Sequence, residues 1–379
     1  MAKKMRVFVF YIVYIAFLLL LTEGLLQFVY YVSTGDLLYR AWVPNVYVND
    51  TLRGFSVKPN LNMQHSTHEF SAKYVTNSQG FRVSEPGVEY PFNKDSQTYR
   101  IMLLGPSFAF GWGVNYEDSF SSRLVEFLST RKNDCYPKIE VVNEGVPGLI
   151  PIKNFSWYNE EGRRYKPDLV IQFVYGSLNV YADEDAIPYV NDEGALVPRR
   201  KNALRSLMPW AKKSATVFYG WMAFLQLRGA FFSDNADSIQ GAGRELASYE
   251  TFHPDDPSIA ASLKFYSNLR DSVESRNGKL LVVYFPLSYA VHQKDDVSRW
   301  KLRGVRDVEG SIRFNKEFCA YLNDNLGIKC LDITDELIAG SSERLYFWFD
   351  THWTPKGNEV AAKAVSDYLL STGSMSCAK

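Results

Sequence analysis

Five short apolar runs recur along the chain: YRIMLL (99–104), KIEVVN (138–143), DLVIQFV (168–174), KLLVVYF (279–285) and IKCLDI (328–333). Between them, residues 117–130, 152–165, 258–276 and 311–326 carry apolar side chains at the three-to-four spacing of amphipathic helices, and 356–370 repeats that spacing after the last run. Apolar strands alternating with helices build a parallel sheet covered on both faces through right-handed βαβ units. The pattern therefore predicts a three-layer α/β/α domain over about 98–371. Before it, 34–97 is rich in Asn, Pro, Ser and Tyr with little periodicity and reads as a β-rich lead-in packed on the domain. The alternation breaks over about 183–257, which reads as an insertion, and 372–379 is a short tail.

A different pattern opens the chain. After Lys3, Lys4 and Arg6, the run VFVFYIVYIAFLLLLTEGLLQFVYYV carries a single charge, Glu23, and exceeds the roughly 20 residues a helix needs to cross hydrocarbon. Its TEGLLQFVYY segment offers a poor signal-peptide cleavage site, which wants small residues. Residues 1–33 thus read as a cytoplasmic stub and an uncleaved transmembrane anchor, and the basic residues ahead of the span leave the amino terminus in the cytoplasm. Everything downstream is then expected in the periplasm or outside the cell. Within the insertion, Arg199, Arg200, Lys201, Arg205, Lys212 and Lys213 precede an apolar segment at about 216–227, too short to span a bilayer. It reads as a helical cap over the sheet, the alternative being an interfacial helix with its basic side near lipid phosphates.

Composition narrows the function. With 379 residues, 46% of them hydrophobic, the chain can bury one large domain with an accessory piece. Lys plus Arg equals Asp plus Glu at 42 each, so no overall basic field argues for nucleic acid. Four cysteines, at 135, 319, 330 and 377, form no C-x-x-C pair. His65 and His68 are three apart with Glu69 as the one further donor nearby, too little for a zinc site. The glycines from Gly105 to Gly113 match neither a phosphate loop nor the dinucleotide spacing, so neither metal nor cofactor is expected. In an oxidising compartment Cys319 and Cys330 are expected to pair, two buried thiols being the alternative, while Cys135 and Cys377 are expected free.

The candidate chemistry lies where strands end. In RIMLLGPSFAFGWGV the first apolar run stops at Gly-Pro-Ser, which places Ser107 at the carboxyl edge of the sheet, where open α/β folds bind ligands. Alone, such a serine is an ordinary turn residue. A nucleophilic serine needs a base, and the base a carboxylate that fixes its tautomer. YFWFDTHWTPKG supplies both as Asp350 and His352, provided the loop folds back so that residues two apart can meet; otherwise Asp350 caps the following helix. Donors for an oxyanion come from VVNEGVPGLIP, where Gly148 offers a bare backbone N–H, and from FVYGSLNVYAD, where Asn179 offers its amide. The N–H of Ser107 completes the set.

These blocks, GPSFAFGWGV, NEGVPG, GSLN and DTHWTPKG, resemble the SGNH, or GDSL-type, hydrolase superfamily over roughly 98–371, and the lead-in FSVKPNLN to YVTNSQGFR resembles the segment before this domain in membrane-anchored bacterial members. The resemblance implies a flavodoxin-like sheet of about five parallel strands, with Ser107 as nucleophile, His352 as base, Asp350 as its orienter, and Gly148 and Asn179 as oxyanion donors. It departs from the family in two places: Pro106 stands where Asp is usual, and Gly176-Ser-Leu-Asn179-Val180 replaces Gly-x-Asn-Asp. The DTHWT wording is similar to SGNH-like proteins that acetylate or deacetylate exopolysaccharides. The expectation is a membrane-anchored serine esterase or acyltransferase acting on O-acyl groups of a glycan, O-acetyl foremost, with a multi-span acyltransferase as a candidate partner. The alternative is a non-catalytic protein of the same fold that binds glycan or such a partner.

Overall fold

A computed structural model describes residues 2–34, 38, 45–67, 69–130, 137–175, 188–191, 194, 196–197, 213–220, 223–224, 251–294, 296 and 307–375. Helix α1 (Ala2–Thr34) comes first, and from Met5 to Val32 it is long and apolar enough to cross a membrane, with most of its large side chains exposed. Two antiparallel hairpins follow: β1 (Tyr47–Asp50) with β2 (Gly54–Val57), and β3 (Asn62–Ser66) with β4 (Ser71–Val75).

Strands and helices then alternate. The order is β5 (Thr98–Gly105), the single turn α2 (Ser107–Phe110), α3 (Phe120–Ser129), β6 (Lys138–Gly145), α4 (Pro151–Glu160) and β7 (Leu169–Tyr175). A small hairpin of β8 (Tyr189–Val190) and β9 (Leu196–Val197) lies in the insertion. The chain resumes with α5 (Pro257–Glu274), β10 (Lys279–Phe285), α6 (Ser288–Val291), α7 (Val308–Leu326), β11 (Lys329–Asp332), α8 (Thr334–Ala339) and α9 (Pro355–Ser371).

Strands β5, β6, β7, β10 and β11 pair in parallel as one sheet in the order β11-β10-β7-β5-β6. Counted by appearance within the sheet this is the doubly wound order 2-1-3-4-5, whose ligand crevice lies outside the carboxyl ends of the strands at the reversal between first and third. Here that point is the β5/β7 boundary.

Strand periodicity divides the core in two. Tyr99, Ile101 and Leu103 of β5, with Ile171, Phe173, Val283 and Phe285, face α3 and α9. Met102, Leu104, Val170, Val174, Val282 and Tyr284 face α4, α5 and α7. Three layers result, because strands buried on both faces need a helical cover on each. The lead-in packs at the carboxyl end of the sheet: Phe55, Phe70 and Tyr74 share a cluster with Phe110 of α2 and with Val146 and Leu149 after β6.

The described part of the insertion departs from a cap over the sheet. Val190 joins the lead-in cluster, and Ala215 packs with Tyr30 and Leu38, against α1.

Cys319 of α7 and Cys330 of β11 are joined as a disulfide, with Cα atoms 5.1 Å apart, while Cys135 and Cys377 lie outside the described residues. The bridge pins an outer helix to the edge strand. Intact-mass analysis without reductant is expected to find this pair linked, and reduction to destabilise the fold by about 3 kcal/mol in the chain-entropy picture; two alkylatable thiols at these positions would contradict it.

Candidate active site

The serine turn is shaped by what surrounds it. β5 ends at Gly105, Pro106 holds an extended backbone (φ −81°, ψ −150°), and α2 begins at Ser107. The Pro106 carbonyl accepts from the N–H groups of Ala109 and Phe110 at 3.0 and 3.2 Å, so the one-turn helix closes directly on the proline. Two glycines let it sit down on the sheet. A Cβ on Gly105 would lie 2.9 Å from the Cβ atoms of both Ala109 and Phe173, and one on Gly145 would lie 2.2 Å from the backbone nitrogen of Phe110. Asn143 of β6 completes the seat by donating from Nδ2 to the Ala109 carbonyl at 2.8 Å and to Ser121 Oγ at 3.1 Å.

Gly145 carries the sharper consequence, since backbone rather than a flexible side chain occupies the space. Gly145→Ala is expected to cost about 3 kcal/mol or more, the upper end of overpacking, and to lower Tm and activity together, because α2 can yield only by moving Ser107. An unchanged melting curve would show that α2 does not rest on β6.

Asp350 and His352 share one loop. Tyr346 and Trp353 bridge in antiparallel fashion, Phe347 N–H donates to the His352 carbonyl at 2.8 Å, and Thr351 N–H donates to Phe347 at 3.1 Å. Between Asp350 and His352, Thr351 takes φ +71°, a left-handed conformation rare for a β-branched residue. That reversal is the fold-back the two side chains require. His352 Nδ1–H donates to Asp350 Oδ1 at 2.5 Å, and Ser107 Oγ–H donates to His352 Nε2 at 2.5 Å. The carboxylate thereby fixes the tautomer whose Nε2 lone pair faces the serine. The cap of α9 is Thr354, whose hydroxyl accepts from Gly357 N–H, so Asp350 is not the helix cap.

The carboxylate at 350 stays ionised for a physical reason. Burial pushes its pKa up, yet the electrostatic attraction and hydrogen bonds of His352, with a smaller contribution from His65, hold it below the ordinary aspartate value. The His352 ring is flanked by Phe108, at 4.8 Å between centroids, and Trp112, at 6.2 Å. Ser107 is only 8% exposed, more enclosed than a position on an open sheet edge would be.

A carboxylate from the lead-in fastens this loop. Glu69 accepts from the backbone N–H groups of Trp348 at 2.6 Å, Phe349 at 2.9 and 3.0 Å, and Asp350 at 2.7 Å. Glu69 enters the sequence argument only as a weak metal donor, and nothing in a stretch without periodicity announces a partner about 280 residues away. Its companion His65 is buried, with Nδ1 3.1 Å from Tyr74 Oη, and His68 lies outside the described residues.

Of the oxyanion candidates, Gly148 lies in the turn after β6, exposed, with φ +82°. A Cβ there would meet only ordinary contacts, Leu196 at 3.6 Å, so the left-handed backbone rather than crowding calls for glycine. Among the described residues neither Gly148 N–H nor Ser107 N–H has a backbone acceptor. Asn179 lies outside the described residues.

Comparison with known proteins reaches part of the chain. Residues 246–377 match the family model described as ALGX, the SGNH hydrolase-like domain of acetyltransferase AlgX. The match covers less than half of the chain. The matched segment holds β10, β11, α9 and the Asp350/His352 loop but not Ser107, which the sheet brings in from the other half of the chain. No curated protein matches the sequence. Solved structures with a similar arrangement include a catalytic mutant of Axe2, an acetylxylan esterase from Geobacillus stearothermophilus, at 11% identity over 74% of this chain and 95% of that one, TM-score 0.39. Another is a family 3 carbohydrate esterase from Clostridium thermocellum at 14% identity over 73% and 96%, TM-score 0.36. Likenesses of that size carry no conclusion about chemistry.

Proposed function

We propose that this protein is a serine esterase or O-acyltransferase that works through an acyl-serine intermediate. The observation that carries the reading is the pair of 2.5 Å hydrogen bonds linking Ser107, His352 and Asp350, residues 245 positions apart in their outermost link. In the first step Ser107 Oγ attacks the ester carbonyl and its proton passes to His352 Nε2. Asp350 stabilises the imidazolium, and the oxyanion is met by the N–H of Ser107, with Gly148 N–H as second donor and Asn179 as a further candidate. The proton then goes from His352 to the leaving alcohol as the C–O bond breaks. Water or a sugar hydroxyl, deprotonated by His352, releases the acyl group and restores the serine. None of these steps uses a cofactor.

The match to an acetyltransferase-type SGNH domain favours acyl ester chemistry in general. The narrower reading, O-acetyl groups of a glycan handled outside the cytoplasm by a domain anchored through α1, is supported by the DTHWT block and by an apolar run long enough to cross a membrane. A multi-span acyltransferase is the partner that would supply acyl groups across the membrane if transfer rather than hydrolysis is the outcome. Covalent labelling of the purified full-length chain by a fluorophosphonate tests the site: one adduct on Ser107 is expected. An unreactive wild-type protein would instead favour the glycan- or partner-binding role.

A further inference from the structure

The insertion returns to α1 at Glu23, the one charged residue of that helix beyond Arg6. The Glu23 carboxylate accepts from the backbone N–H groups of Ala215 at 2.7 Å and Thr216 at 2.9 Å and from the Ser214 hydroxyl at 2.7 Å. Gln27, one turn along α1, donates from Nε2 to Glu23 at 2.8 Å and to the Lys213 carbonyl at 3.0 Å, and its Oε1 accepts from Leu38 N–H at 3.0 Å. Beside these polar links Tyr30, Leu38 and Ala215 form a small apolar core joined by Leu26, Phe218 and Tyr219, with the Tyr30 and Phe218 rings edge to face at 6.1 Å. Thus the contact combines a filled carboxylate, a bridging amide and a packed core.

Depth gives this contact its meaning. Counting about 20 residues of hydrocarbon from Arg6 puts the domain-side boundary of the bilayer near Leu26, so Glu23 lies within one helical turn of it. An ionisable side chain there is costly unless its oxygens are occupied, and the start of the 215–220 helix occupies them. The same geometry holds that helix where headgroups meet acyl chains. Val217 on this helix and Phe224 beyond it are 48% and 46% exposed, as are most of the large apolar side chains of α1. The six basic residues between Arg199 and Lys213 that precede it in sequence suit anionic headgroups.

We infer that the 215–220 helix is an interfacial seat, docked on α1 through Glu23 and Gln27, with Val217 and Phe224 entering the lipid acyl layer. The inference rests on α1 being a membrane span. It gives the catalytic domain a second attachment, so that the bilayer fixes its tilt as well as its distance.

The test uses full-length protein in phosphatidylcholine vesicles doped with a lipid carrying a diazirine in its acyl chain, followed by peptide mapping. Trypsin releases the relevant segments as separate peptides, Val7–Arg40 and Ser214–Arg228. Adducts are expected on both and absent from the sheet strands. Adducts on Val7–Arg40 alone would overturn the seat while leaving the anchor intact; adducts on neither would remove both. Glu23→Leu is expected to lower labelling of Ser214–Arg228 severalfold without lowering that of Val7–Arg40, and undiminished labelling would refute the docking role of Glu23.

Discussion

Ser107→Ala and His352→Ala are each expected to reduce kcat for p-nitrophenyl acetate by about 10⁴-fold or more, the scale on which triad members act, with little change in Tm. Ser107 Oγ makes its hydrogen bond to His352 and His352 makes its ring bonds to Ser107 and Asp350, so removing either side chain breaks the relay rather than the core. The double variant should be about as poor as either single, because the two groups serve one proton transfer. Asp350→Asn belongs to the same experiment. An amide cannot stabilise the imidazolium and favours the wrong tautomer, so a loss of the same order is expected. Since Thr354 rather than Asp350 caps α9, that loss should come without helix destabilisation. Full activity in all of these variants would leave an α/β/α scaffold that binds without catalysing.

The sheet was legible because each strand is a short apolar run bounded by turn chemistry, and the helices between them keep one apolar face. Ser107 was placed for a related reason, since it directly follows β5, whereas Asp350 and His352 stand beyond α8 and were found only by the need of a serine for a base and of that base for a carboxylate. Contacts made by backbone were not legible. Gly145 matters because the backbone of Phe110 approaches it, and the loop around Thr351 depends on a reversal that a β-branched residue rarely adopts. The segment after Lys213 was misread for a parallel reason. Its apolar pattern fits a sheet cap and a contact to α1 equally well, and only Glu23, a charge that must be satisfied inside an apolar run, distinguishes them.

Glu69→Ala is expected to lower kcat by about 10²-fold, the effect of misplacing a catalytic group by an ångström, although Glu69 makes no contact with Ser107 or the His352 ring among the described hydrogen bonds. Its carboxylate collects the N–H groups of three consecutive residues, Trp348, Phe349 and Asp350. That clamp sets where the loop stands before Thr351 reverses it, and hence where Asp350 meets His352. Removing the acceptor leaves partly buried donors unpaired, a cost of about 1–3 kcal/mol for such a group. Water can meet some of them only if the loop shifts. Glu69→Gln should be nearly as damaging as Glu69→Ala: both carboxylate oxygens accept, whereas an amide has one acceptor and would turn its own N–H toward a donor. A positioning role also predicts which constants move. Fluorophosphonate labelling of Ser107 should slow in parallel with kcat, KM should change little, and the melting temperature should fall by only a few degrees. Normal labelling with a lowered Tm would mean that Glu69 only stabilises the lead-in. Slow labelling with a nearly native Tm would show that the segment ahead of the sheet is part of what sets the acid in place.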